Sequence, residues 1–180
     1  MRKTIFAPLL LGVPFFAFCI VSPLSRAAGE DENAKAYALY LNGDLSKSAA
    51  AYLALAAAKP DSTEPLLNAA MVYKQQGRYL AGDAALESAL KIEPYNSEIL
   101  SELGWFKFHQ ADYENAAAYF ERALKLSPVH PRATLGLGSV YSNLGDREKT
   151  IDYLAHYRQL RPDFAGVDYI IAWNYMNFKM

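Results

Sequence analysis

The residues able to do chemistry are few: three histidines, one cysteine and scattered carboxylates. His109, His130 and His156 show neither the HxxxH nor the HExxH spacing that aims side chains from one helix face at a zinc ion. His109 and His130 could approach each other across one junction of a helical stack, but two imidazoles without further ligands do not make a metal centre. There is no glycine-rich phosphate loop, no nucleophile elbow and no carboxylate pair that helical patterning leaves unexplained. The expectation is a chain that is not an enzyme, with no catalytic residue, no metal and no cofactor. Cys19 lies in an apolar leader, where Phe16 and Phe18 stand at the leucine and small-residue positions of a lipid-attachment signal. A chain cut after the leader would have no thiol, and packing alone would stabilise it.

That leader begins with Arg2 and Lys3, runs uncharged from Ile5 to Leu24, and gives way to Ser25-Arg26-Ala27-Ala28 and the acidic Glu30-Asp31-Glu32. Positive end, apolar stretch and small residues are the layout of a secretory signal peptide. Ser25 and Ala27 suit a cut after residue 27, so 1–27 is read as signal peptide. An uncharged run of 20 residues also suffices to span a bilayer, and its prolines Pro8, Pro14 and Pro23 are tolerated there. An uncleaved anchor is therefore the second reading. The expected location is periplasmic or secreted, with a membrane-anchored form facing the periplasm as the alternative. The formal charge of −1 offers no footprint for nucleic acid.

The elements that hold these residues are set by a repeat. Residues 89–94 read ALKIEP and residues 123–128 read ALKLSP; proline recurs every 34 residues at Pro60, Pro94, Pro128 and Pro162. Glycine stands 17 residues before three of these, at Gly43, Gly77 and Gly145, and Ala111 takes the remaining slot. Four units follow, about 29–62, 63–96, 97–130 and 131–164, within a domain spanning 28–164. Apolar spacing inside each unit is helical: Leu100, Leu103 and Gly104 before the break at Ala111-Asp112, and Ala116, Phe120, Ala123 and Leu124 after it, recur at three- and four-residue steps. Each unit thus reads as two antiparallel helices, with glycine for the turn and proline for the stop. A period of this length means an all-α solenoid, each unit burying its face against its neighbours.

Leu103-Gly104, Ala116, Phe120, Ala123 and Pro128 resemble the small and large core positions of the tetratricopeptide repeat. Ala69-Ala70, Tyr73, Gly82, Leu86, Ala89 and Pro94 repeat the pattern, as do Leu137-Gly138, Tyr141, Leu154 and Pro162, where Thr150 and Tyr157 replace two small residues. The resemblance implies a right-handed superhelix of helix pairs with a concave groove lined by each unit's first helix. It also implies a non-catalytic scaffold that binds a peptide or helix of a partner protein, in bacterial envelope assembly, secretion or export. The groove lacks the matched lysine, asparagine and arginine set by which some family members clamp a C-terminal carboxylate, so that ligand is not expected.

Counting along the frame places Tyr37, Tyr40, Met71, Lys74, Trp105, Phe108, His109 and Asn143 on the peptide-binding groove, with Arg132 beside them. Tyr169 and Trp173 would extend it. Aromatics and methionine concentrate binding energy at interfaces, although Trp105 and Phe108 could equally fill space between repeats. Residues 165–180 read as a capping helix, whose Ile171 and Tyr175 occupy places that would pack on a second helix. The alternative function is therefore an assembly subunit, forming a homo-oligomer or docking a partner through Ile171 and Tyr175. No nucleic-acid partner is expected, and a membrane only through the leader.

Overall fold

The computed structural model describes residues 29–163 and Gly166. The leader, the capping helix, and with it Tyr169, Ile171, Trp173 and Tyr175, lie outside the described residues. Eight helices and no strand are found among those described: α1 Gly29–Leu41, α2 Leu45–Ala58, α3 Glu64–Gln75, α4 Tyr79–Ile92, α5 Ser97–His109, α6 Tyr113–Leu126, α7 Pro131–Leu144 and α8 Arg147–Leu160. None of them is long and apolar enough to cross a membrane.

The four tight turns are built alike. Gly43, Gly77 and Gly145 have φ of 82°, 70° and 78°, and Ala111 matches them at 59°. In each, the N–H of that residue donates to the carbonyl three residues back, and the next N–H reaches the carbonyl five back: Gly77 to Lys74 and Arg78 to Tyr73, Ala111 to Phe108 and Asp112 to Lys107. This pair of bonds is the Schellman closure, which satisfies carbonyls a helix end would leave orphaned. Helix starts in the second half of the chain are capped by side chains. Asn96 accepts from Glu98 and Ile99, Asp112 from Asn115, His130 from Ala133 and Asp146 from Lys149.

Consecutive helices pack antiparallel, and α5 also packs directly on α7. The odd-numbered helices form one layer and the even-numbered ones the other. Close approach depends on glycine. A Cβ at Gly82 would strike the Phe106 ring, one at Gly138 would meet Leu154, and Cβ atoms at Gly104 and Gly136 would both strike Phe120. Phe120, fully buried, is thus held between α5 and α7, and its burial contributes about 2–3 kcal/mol. Leu100, Ala116, Ala123, Ala133, Leu137 and Val140 complete that cluster.

Where a small residue is replaced, the structure accommodates it. Thr150 is buried, and its hydroxyl donates to the Asp146 carbonyl at 2.6 Å. Ser48, at the matching place in the first unit, donates across the helix pair to the Ala36 carbonyl at 2.8 Å. Tyr157 is buried too.

Candidate functional site: the inner helix layer

Along α5, Ile99, Leu100, Leu103 and Phe106 are buried, and the remaining stripe carries Glu98, Glu102, Trp105, Phe108 and His109. The matching stripes of α1, α3 and α7 carry Tyr37, Met71 with Lys74, and Arg132. Contacts between these stripes join the layer: Asn33 donates to Glu64 at 3.3 Å, Arg132 pairs with Glu102, and the buried His130 ring lies 3.3 Å from Glu98.

The expected groove residues fall into three groups. Tyr37 and Met71 are each 42% exposed, open to a ligand; Tyr40 is half-buried and stacks on Tyr37 with ring centres 6.0 Å apart. Burial pushes the Tyr40 phenol above its usual value, and Tyr37 adds to this. Trp105 and Phe108 are half-buried and packed against the Phe120 cluster. The Trp105 ring meets Phe120 edge-on at 5.4 Å and Phe108 at 5.5 Å, and its indole N–H is buried without a partner. Most of their surface serves packing between repeats.

The third group forms a seam. His109 stacks on Tyr79 at 5.1 Å, and Asn143 accepts from the Tyr113 hydroxyl at 3.2 Å. In both, an inner-helix residue touches the start of the preceding outer helix 30 positions earlier, as Gln76 does with Ser46. His109 and Asn143 therefore sit at the turn edge of the groove. His109 and His130 have separate partners, and no cluster of metal-ligating side chains occurs among the described residues.

Lys74 is the centre of the layer's electrostatics. Burial pushes its ammonium below the usual lysine value; the Glu102 carboxylate opposes this and Arg132 adds to it. Burial likewise lowers the His109 imidazole, Lys74 lowers it further, and Glu102 opposes. The His130 ring beside it holds Glu98 below its ordinary value, against partial burial, with Arg132 helping. Glu102 escaped the sequence frame because it flanks the counted groove positions. Asp83 escaped too: it is buried, and its Oδ2 accepts from Lys107 and Gln110 at 2.7 Å each. Its signal was a charge at the place where the third unit has Ala117.

Two family patterns, both described as tetratricopeptide repeat, match residues 67–131 and 107–173. The anaphase-promoting complex subunit 3 of Schizosaccharomyces pombe is 29% identical over 102 residues; these are 57% of this chain and 15% of that protein. Among solved structures, MamA from Desulfovibrio magneticus RS-1 superposes with a TM-score of 0.73 at 17% identity, covering 83% of this chain and 84% of that one. PilF of Pseudomonas aeruginosa gives 0.72 at 18%, covering 84% and 69%. YrrB, described as a tetratricopeptide-repeat protein with an unusual peptide-binding site, gives 0.64 at 20%, covering 82% and 76%. With four matching turns, paired helices and glycine-gated crossings, the chain is a tetratricopeptide-repeat solenoid.

Proposed function

We propose that the protein is a non-catalytic scaffold that holds a peptide or helix of a partner protein on its inner layer, within the bacterial envelope. The observation that carries this is the exposure of Tyr37 and Met71 on the inner layer, with Met71 one helical turn from Lys74, whose charge couples to Glu102 and Arg132. Apolar surface left open beside fixed charges is the composition of a binding patch: the apolar part supplies affinity and the charges supply register. YrrB, described as having an unusual peptide-binding site, supports peptide binding by a solenoid of this kind, and the leader's layout supports the compartment. Affinity capture from envelope extracts tests it. Tyr37→Asp with Met71→Asp should abolish the captured band and leave the helical signal unchanged. Equal capture by both proteins would refute the reading. Trp105 and Phe108 are unsuitable for this test, because their truncation would open the Phe120 cluster.

A further inference from the structure

Lys74 and Arg132 compete for one carboxylate. Glu102 is committed to Arg132, and Glu98 faces the His130 ring at 3.3 Å. The Lys74 side chain is half-buried on α3, one turn from the exposed Met71, and its ammonium forms no hydrogen bond or ion pair among the described residues. A cation partly withdrawn from water gains most from an acceptor that reaches it where its neighbours leave it unpaired. Only one ammonium is on offer, with a second cation already paired. A terminal carboxylate held by several donors does not match that set, whereas a single acidic side chain does.

We propose that Lys74 anchors an aspartate or glutamate side chain on the partner segment that lies along the inner layer, beside Met71. This rests on the inner-layer reading above and adds the chemistry of its ligand. Glu102 then acts as an internal competitor for the same cation, so removing its charge should strengthen binding. Lys74 is spared a structural duty: replacing it with methionine deletes a desolvated charge and should not lower the melting temperature.

The test uses random dodecamers displayed with their C-termini fused, selected on the full chain, on Lys74→Met and on Glu102→Gln. The wild type should enrich dodecamers with an acidic residue at a fixed distance from an apolar one. Lys74→Met should lose that preference and bind the wild-type selections about tenfold more weakly. Lys74→Arg should keep the preference, and Glu102→Gln should bind the same dodecamers severalfold more tightly. Enrichment without an acidic preference, or a preference that survives Lys74→Met, would overturn the anchor and leave the inner-layer reading standing. A preference seen only in a library with free C-termini would replace the side chain by a terminal carboxylate. Failure of the wild type to enrich any dodecamer would remove both readings together.

Discussion

Ala111 stands where the other three units have glycine, and it adopts the left-handed backbone with φ of 59°. Its turn makes the same two closing hydrogen bonds as theirs, so the strain is not relieved by a different geometry. An L-residue in that conformation costs roughly 1–2 kcal/mol, and glycine there costs nothing in sterics. Glycine's freer unfolded chain takes back about 0.4–1 kcal/mol. The Ala111 methyl is exposed, so no packing is lost. Ala111→Gly should therefore stabilise by about 0.5–1 kcal/mol, an upward shift of roughly 1–4 °C for a domain of this size. The reverse change, Gly77→Ala, should lower stability by a similar amount. No atom lies within 4 Å of the added Cβ, so its effect is backbone strain alone. Thermal unfolding followed by circular dichroism measures both. An unchanged or lower melting temperature for Ala111→Gly would refute the strain argument, whatever Gly77→Ala does.

Gly136→Ala drives a methyl into a Phe120 ring that Gly104 blocks on the other side, and should cost about 1–3 kcal/mol in urea unfolding. Asp83→Ala leaves Lys107 largely buried without its carboxylate and should cost roughly 3 kcal/mol; adding Lys107→Met should restore much of it, a coupling that a double-mutant cycle reads. His109 is held below its ordinary value by burial and by Lys74, so the fold favours the neutral ring. The stability this contributes is complete above the unfolded histidine value near 6.5, and is lost as pH falls through that value toward the folded one. His109→Gln should flatten the stability profile below about pH 7, and Lys74→Met should raise the imidazole titration seen by NMR.

Within a unit, much was legible because proline and glycine punctuate it and helix geometry fixes which faces meet. Pro94 and Pro128 located the helix ends, and Gly43, Gly77 and Gly145 located the turns, down to the odd place of Ala111. Contacts between units were harder to read. They depend on how far each pair rotates against the next, a quantity the 34-residue period does not encode. Hence the His109–Tyr79 and Asn143–Tyr113 seam, the Glu102–Arg132 pair and the buried Asp83 could not be placed by counting along one helix. The same rotation packs Trp105 onto Phe120, which helical spacing alone left undecided between core and groove.

The proposed function puts a partner along the inner layer. Hydrogen–deuterium exchange on the protein with its captured partner bound tests this most directly. Protection concentrated on α3, α5 and the start of α7, around Met71, Lys74 and Arg132, is the predicted result. Protection confined to α4, α6 and α8, with the inner layer exchanging as in the free chain, would contradict it.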